Sequence, residues 1–295
     1  MGISSLTVRD NLYIGRFAPS PSGKLHIGSF LSAITSYIDA KHNNGLWKLR
    51  IDDIDSERSK KIYSESIIKI LKDFLLDPDE IYYQTDHLND YINYLDRIPK
   101  EKTYFCECTR KIISALPQHD IGAIYDGRCL NKNLYQGALR IQMKKINFSF
   151  NDLNLGLIEL DKTYVSDFIV RGKNQFAYVF CCVIDDYLQE VNTVVRGSDL
   201  VFQTFQQRYL QELFSFPLLS YFHHPVLYDE VRKISKSDQD EEIHPDNRTE
   251  ILMKILKILN QKINPNINSY KSILEHAIES WDIKAIPKST KINLD

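Results

Sequence analysis

The chain predicts an α/β fold built on a parallel sheet, with a smaller unit inserted into it. Three observations carry that expectation. A strand, a helix and a second strand follow one another within about forty residues near the N-terminus, the pattern of a βαβ unit with a right-handed crossover. A stretch beginning at Phe105 breaks the pattern with cysteines, Gly-Arg turns and short alternating segments. The α/β pattern then resumes near Phe176 and gives way to a short helical tail.

The first strand is read over 12–17, Leu12-Tyr13-Ile14-Gly15-Arg16-Phe17. Pro19-Ser20-Pro21-Ser22-Gly23 then breaks the chain direction. From 27 to about 42, Ile27, Phe30, Leu31, Ile34, Tyr37 and Ile38 recur at helical spacing. Gly45 punctuates, and Leu46-Trp47-Lys48-Leu49-Arg50-Ile51 reads as the second strand. Ligands of such sheets sit beyond the carboxyl ends of the strands, which places residues 16–29 and 52–55 on one rim. A long helix is expected over 57–75, with Tyr63, Ile67, Ile70, Leu71 and Phe74 on one face and Pro78 ending it. Another, rich in Tyr and Asn, is expected near 86–99.

Residues 105–168 are read as an α+β insertion with its own small fold, including alternating segments such as Leu139-Arg140-Ile141-Gln142-Met143. Beyond it, 176–188 is apolar and helical, and Thr193-Val194-Val195-Arg196-Gly197 is a strand ending in a turn. Asp199 is expected to cap a helix that runs to about Phe214. Pro225-Val226-Leu227-Tyr228 reads as a further strand. The tail holds a helix over 249–260 and a weaker one near 270–281. The expected division is therefore 1–104 and 169–237 as two halves of one α/β domain, 105–168 as the insertion and 238–295 as the tail.

Composition narrows the classes. With 43% hydrophobic and 26% charged residues, the 295-residue chain has the balance of a globular protein with a sizeable core. A net charge of −2 excludes a polycationic nucleic-acid coat and leaves room for a local basic face. No run of about 18 apolar residues is present, so no membrane partner is expected. The first ten residues lack the basic start and apolar stretch of a secretory signal, and Leu6 stands where an acylation signal wants Ser or Thr. Five cysteines, odd and sparse, suit a reducing cytoplasm better than a disulfide scaffold. No repeat or low-complexity tract is visible.

Two segments carry phosphate chemistry. His26-Ile27-Gly28-Ser29 opens the first helix, and a helix N-terminus offers N–H groups and partial positive charge to a phosphate. Gly28 lets a purine or phosphate approach the backbone, and His26 stands where it can donate to a phosphate oxygen. Lys233-Ile234-Ser235-Lys236-Ser237 places two lysines around small hydroxyl residues, which suits a polyphosphate that gains charge in a transition state. A third segment offers soft metal ligands: Cys106-Glu107-Cys108 on one tight turn and Cys129 beyond a loop. Zinc takes four donors, and His119 is a chemically ordinary candidate for the fourth. Cys181 and Cys182 lie in an apolar helix and read as core. Asp53 and Asp55 read as caps of the next helix or partners of basic neighbours.

Taken together, Arg16-Phe17-Ala18-Pro19-Ser20-Pro21-Ser22-Gly23-Lys24-Leu25-His26-Ile27-Gly28-Ser29 resembles the "HIGH" region of class I aminoacyl-tRNA synthetases of the glutamate-specific kind. Lys233 to Ser237 resembles their "KMSKS" loop, and Arg50-Ile51-Asp52-Asp53-Ile54-Asp55 their Arg-Ile-Glu-Asp-x-Asp strand end. Phe176-Ala177-Tyr178, Val183-Ile184-Asp185-Asp186 and Val194-Val195-Arg196-Gly197-Ser198-Asp199-Leu200 resemble the second half of the same domain. The likeness is strongest to the branch that attaches glutamate to the queuosine base in the anticodon of tRNA(Asp). Three features favour it: His-x-Gly-Ser at the first motif, the Cys-x-Cys with its later Tyr-x-x-x-Cys, and a tail too short for a helical anticodon-binding region.

The resemblance implies a Rossmann-like catalytic domain, with ATP, L-glutamate and queuosine-bearing tRNA(Asp) as partners. It implies that Arg16, Ser20, Tyr178 and Arg196 bind glutamate, with Asp52 for the ammonium group. An arginine suits the task because it can hold a carboxylate through two charge-assisted hydrogen bonds. The family has Glu where this chain has Asp52, so the ammonium must move or a water must bridge, and a related glutamine-specific class also uses Asp there. ATP is expected at His26, Gly28, Ser29, Lys233, Ser235 and Lys236, with Mg2+ accompanying it and His26 and Lys236 acting on the phosphates. The resemblance makes Tyr125 the fourth ligand of one structural zinc ion held by Cys106, Cys108 and Cys129, beside the His119 alternative. A cytoplasmic monomer of ligase type is expected. The rival readings are a truncated synthetase charging the tRNA 3′ end and a catalytically silent tRNA-binding paralogue.

Overall fold

The computed structural model describes residues 12–144, 147–228 and 243–293. In chain order the strands are β1 (Ile14–Phe17), β2 (Leu46–Ile51), β3 (Glu80–Tyr83), β4 (Thr103–Cys106), β5 (Gln118–His119), β6 (Gly122–Ala123), β7 (Ala138–Ile141), β8 (Ser149–Asp152), β9 (Gly156–Glu159), β10 (Phe168–Arg171), β11 (Thr193–Gly197), β12 (Ser220–His224), β13 (Val226–Tyr228) and β14 (Lys291–Asn293). The helices are α1 (Ile27–His42), α2 (Lys61–Asp73), α3 (Leu88–Asp96), α4 (Arg110–Ser114), α5 (Tyr178–Leu188), α6 (Gln203–Phe214), α7 (Arg248–Ile258) and α8 (Tyr270–Glu279).

β1, β2 and β3 pair in parallel, and so do β11 and β12. The two sheets meet edge to edge. Asn192 N–H donates to the Ile14 carbonyl at 3.0 Å, and Ile14 N–H donates to the Asn192 side-chain oxygen at 3.0 Å. The strands thus run β3-β2-β1-β11-β12, and the chain leaves β1 toward one side and β11 toward the other. A crevice opens at such a reversal, beyond the carboxyl ends of the central strands.

Apolar side chains divide cleanly across this layer. Phe17, Trp47, Leu49, Val195 and Phe222 face one core, which α1, α2, α7 and α8 complete. Ile14, Val194 and Tyr221 face the other, filled by α5, α6 and the β8–β9 hairpin. Strand alternation alone sends Val194 and Val195, or Tyr221 and Phe222, to opposite sides. The tail belongs to this body. Trp281 Nε1 donates to Asp39 of α1 at 3.0 Å, the Tyr270 hydroxyl donates to the Phe74 carbonyl at 2.6 Å, and β14 pairs in parallel with β13.

The first βαβ unit follows the periodicity closely. Elsewhere local chemistry shifts the bounds. α2 begins four residues later than expected because the Asp55 carboxylate takes the N–H groups of Arg58 in a turn. Its final residues yield before Pro78, with Leu75 in the left-handed region at φ 52°. The helix expected near 86–99 opens as a 3-10 turn over Gln84–His87 and becomes α3 at Leu88. Asp199 is not the cap of α6. It lies in a preceding 3-10 turn, Ser198–Leu200, and Phe202 holds the N-cap position. Asp53 does not cap α2, whose N-cap position is held by Lys60: it accepts from the Thr85 backbone and hydroxyl in the 3-10 turn.

In the cysteine-bearing segment, β10, β7 and β4 form an antiparallel sheet in that order. The β8–β9 hairpin leaves it and packs on β12, with Leu153 N–H donating to the Tyr221 carbonyl at 2.8 Å. That contact brings Asp152 beside the central sheet. Among the described residues no helix is long and apolar enough to cross a membrane.

Candidate active site

At the sheet reversal a cavity of about 740 Å³ opens, with Arg16, Ser20, His26, Gly28, Ser29, Tyr178 and Arg196 on its walls. These come from the β1 end, the proline turn, the first turn of α1, the start of α5 and β11. Every residue expected to bind phosphate or glutamate within the described residues is there except Asp52. Lys233, Ser235 and Lys236 lie outside the described residues.

The α1 N-terminus is prepared for an anion. His26 takes the N-cap position with extended backbone and no capping side-chain bond, and no acidic residue stands in the first turn. The His26 Nε2 and Ser29 hydroxyl are 2.9 Å apart, which fixes the ring over the turn. One turn on, the Ser32 hydroxyl meets His224 Nε2 at 2.8 Å, tying α1 to the end of β12. Ser32, Asp199, Gln203 and His224 also line the cavity and were not anticipated from the sequence. The paired His223-His224 offered a signal, but nothing local distinguished them from core histidines.

Behind the cavity floor lies a buried charge network. Arg50 is fully buried, and it donates to Asp52 through Nε at 2.6 Å and to Asp186 through Nη1 at 2.6 Å. Arg16 Nε donates to the same Asp186 oxygen at 3.2 Å. Asp185, on the far side, accepts from the Tyr91 hydroxyl at 2.6 Å and from Gln84 Nε2 at 2.7 Å. Burial pushes Asp185 up to about 7 despite Arg50. Burial also opposes charge on Asp186, but Arg16 and Arg50 outweigh it and hold its pKa below the usual value. For Asp52 burial wins, and its pKa is raised although Arg50 pulls it down.

One carboxylate oxygen of this network is incomplete. Asp52 Oδ2 is buried and has no hydrogen-bond partner among the described residues. The Asp52 backbone N–H donates to the Pro19 carbonyl, so this carboxylate is strapped to the cavity wall. On the other side, Arg196 Nη1 is a buried donor without a partner among the described residues. Tyr178 lines the cavity and feels the charge of both side chains. Burial first, then Cys182 and Asp52, raise its pKa, while Arg196 and Arg16 pull it down. A buried acceptor short of a donor and a buried donor short of an acceptor are each costly. Together they complement a ligand that carries both an ammonium and a carboxylate. Sequence reading missed Asp186, the counter-charge that lets Arg16 and Arg50 be buried side by side.

The soft-ligand cluster is a separate site. The sulfurs of Cys106, Cys108 and Cys129 lie within 4.8 Å of one another. The Tyr125 hydroxyl sits among them, 3.4 Å from Cys106 and 3.7 Å from Cys108. The Arg140 guanidinium lies 3.6 Å from the centre of the Tyr125 ring. Burial disfavours ionisation of Cys106, but hydrogen bonds from Tyr125 and Arg140 outweigh it and bring the thiol down to about 7. Burial raises Cys108 to about 11. Zinc–sulfur bonds of about 2.3 Å in a tetrahedron set sulfur–sulfur edges near 3.8 Å. Cys108 and Cys129 are 3.6 Å apart, so the donors fit such an ion without moving far. His119 is elsewhere: its ring stacks on Tyr164 at 3.9 Å and meets Phe202 edge-on.

Comparison with known proteins gives the family of the chain. Residues 14–250 match the family model of the catalytic domain of class I tRNA synthetases (E and Q). The chain is 37% identical over 287 residues to the glutamyl-Q tRNA(Asp) synthetase of Vibrio parahaemolyticus, spanning 95% of this chain and 96% of that protein. It is 34% identical over 293 residues to the protein of the same name from Escherichia coli K12, spanning 96% and 94%. Among solved structures, glutamate-tRNA synthetase from Elizabethkingia anophelis superposes with a TM-score of 0.77 at 19% identity, over 96% of this chain and 68% of that one. That last likeness concerns the fold.

Proposed function

We infer, because this chain belongs to the glutamyl-Q tRNA(Asp) synthetases within the class I tRNA synthetase (E and Q) family, that it activates glutamate with ATP and transfers it to the queuosine base of tRNA(Asp). The observation that carries the glutamate half of this reading is the pair of incomplete groups, Asp52 Oδ2 and Arg196 Nη1, around Tyr178. In the proposed complex the glutamate ammonium completes Asp52. Arg196, Arg16, Ser20 and Tyr178 hold the carboxylates.

In the first step an oxygen of the glutamate α-carboxylate attacks the α-phosphorus of ATP. The bond to the bridging oxygen breaks, leaving glutamyl-adenylate and pyrophosphate. The protein's part is alignment and charge stabilisation. His26, Ser29 and the α1 N-terminus receive the phosphates, with Gly28 keeping the approach open and Ser235 adding a hydroxyl, and Lys236, with Lys233 secondary, offsets the charge of the departing pyrophosphate. Mg2+ accompanies ATP and shares its phosphate charge. In the second step a hydroxyl of the acceptor attacks the acyl carbon and AMP leaves.

We place structural zinc on Cys106, Cys108, Tyr125 and Cys129, where it fixes the loops of segment 105–168 that meet tRNA. The ion would bind these loops together by taking thiolate and phenolate donors in place of their protons. Amino-acid-dependent ATP–pyrophosphate exchange, with and without tRNA, tests the activation step. Glutamate should support it, with glutamine at about a hundredth or less of its kcat/KM, since an uncharged amide forfeits the arginine contacts. Preference for glutamine would contradict the reading.

A further inference from the structure

Arg196 is held in an unusual way for a buried guanidinium: among the described residues no carboxylate is paired with it. Its Nε donates to His223 Nε2 at 3.0 Å, and its Nη2 donates to the Thr204 hydroxyl at 2.8 Å and, at 3.4 Å, to the Leu200 carbonyl. Those contacts engage the Nε/Nη2 edge and leave Nη1, in a side chain that lines the cavity, buried and without a partner among the described residues. His223 is completely buried on β12, and its Nδ1 lies 2.6 Å from Asp152 Oδ2. The other oxygen of Asp152 accepts backbone N–H groups of Asn154 and Leu155 at 3.0 Å each, and of His223 at 3.3 Å.

These contacts dictate one protonation pattern. Nε2 can accept from Arg196 only if it carries no proton, so the proton of a neutral ring must be on Nδ1, donated to Asp152. Burial and the adjacent Arg196 push the His223 pKa down to about 4 against the pull of Asp152, so the ring is neutral at pH 7. The ionisable groups around it are Asp152 from β8, Arg196 from β11, and its own neighbours Tyr221 and His224.

We propose that Asp152 and His223 are positioning residues for the amino acid: through Nδ1–H and Nε2 they lock the Arg196 guanidinium in the rotation that presents Nη1 to the substrate carboxylate. The device keeps Arg196 oriented by a neutral acceptor, so its full charge is left for the ligand. A carboxylate in that place would neutralise it. The proposal rests on the glutamate reading of the cavity given above.

Asp152→Asn separates this role from mere packing. The three backbone N–H groups keep an acceptor oxygen facing them, so the new amide turns its NH2 to His223 Nδ1. The ring must then shift its proton to Nε2, where it opposes the Arg196 Nε–H. In ATP–pyrophosphate exchange, the KM for glutamate should rise at least tenfold in Asp152→Asn and His223→Leu, while the KM for ATP stays within twofold. His223→Gln, whose side-chain oxygen can accept from Arg196, should recover to within about threefold of the parent. Nitrogen-15 NMR of His223 should show Nδ1 protonated in the parent and Nε2 protonated in Asp152→Asn, whether or not glutamate is the substrate. An unchanged glutamate KM in the folded Asp152→Asn protein, or Nε2 protonated in the parent, would overturn the proposal. Absence of glutamate-dependent exchange in the parent would instead overturn the glutamate reading and leave the tautomer readout to judge the relay.

Discussion

The cavity beneath α1 and the cysteine cluster are both built from buried titratable side chains, yet they are balanced in opposite ways. Around the cavity, acids face bases: Arg16 and Arg50 against Asp52, Asp185 and Asp186, and Arg196 on a neutral histidine. Among the described residues, Asp52 Oδ2 and Arg196 Nη1 are an acceptor and a donor there that lack partners. In the cluster, three thiols and a phenol face one another, and Arg140 is the cation stacked against them. The first region is ready for a zwitterion. The second gathers donors whose chemistry suits an added cation. The comparison teaches that perturbing the cavity should change binding and rate, while perturbing the cluster should change metal content and the fit to tRNA.

The largest effect should fall on the phosphate side of the cavity. Lys236→Ala should lower adenylate formation by about 10²–10³-fold, the usual cost of removing a charge that stabilises a transition state. Near-parental ATP–pyrophosphate exchange would sink that role. Next, Asp52→Asn should raise the glutamate KM by roughly 10–100-fold, because a hydrogen bond to a charged partner is worth about 1.5–3 kcal/mol. An unchanged KM would show that Asp52 serves Arg50 alone.

In the cluster, Cys108→Ser should reduce bound zinc from about one per chain to a small fraction, measured by elemental analysis, and lower the melting temperature by several degrees. Exchange without tRNA should change less than about threefold. If exchange falls as steeply as transfer, the two regions are not separable in the way described.

The smallest effect is a pH dependence. The His223 pKa is depressed in the folded state, to about 4 from 6.5. Between those values the unfolded chain takes a proton that the folded chain refuses, so stability is lost as pH falls through that window. The cost should be on the order of 1–3 kcal/mol between pH 7 and 4.5, read from urea midpoints. His223→Gln should flatten the curve in that range; an unchanged slope would assign the dependence to other groups.

How much of this was legible in the sequence depends on the range of the contacts. The βαβ unit and the His26 turn are written in local periodicity and breakers, and they lie within a residue or two of where the sequence puts them. The cysteine loops were legible from spacing, while the fourth donor lay between Tyr125, which the family resemblance implies, and His119, the chemically more ordinary ligand. Only the fold shows that His119 stacks on Tyr164. Asp152 and His223 are 71 positions apart, and no local pattern joins a hairpin aspartate to a strand histidine. Asp186 was visible in a familiar run of residues, but its role depends on β1 and β2 delivering two arginines to one carboxylate oxygen. Strand β12 escaped notice because Tyr221-Phe222-His223-His224 mixes apolar and polar residues that are all buried.

The central claim is that the activated glutamate goes to queuosine. Labelled glutamate, ATP and the full chain should be incubated with tRNA(Asp) that carries queuosine and with the same tRNA lacking it. Label should appear on the queuosine-bearing tRNA alone and stay in the anticodon fragment after nuclease digestion. Equal labelling of both tRNAs, or label confined to the 3′-terminal nucleotide, would contradict it.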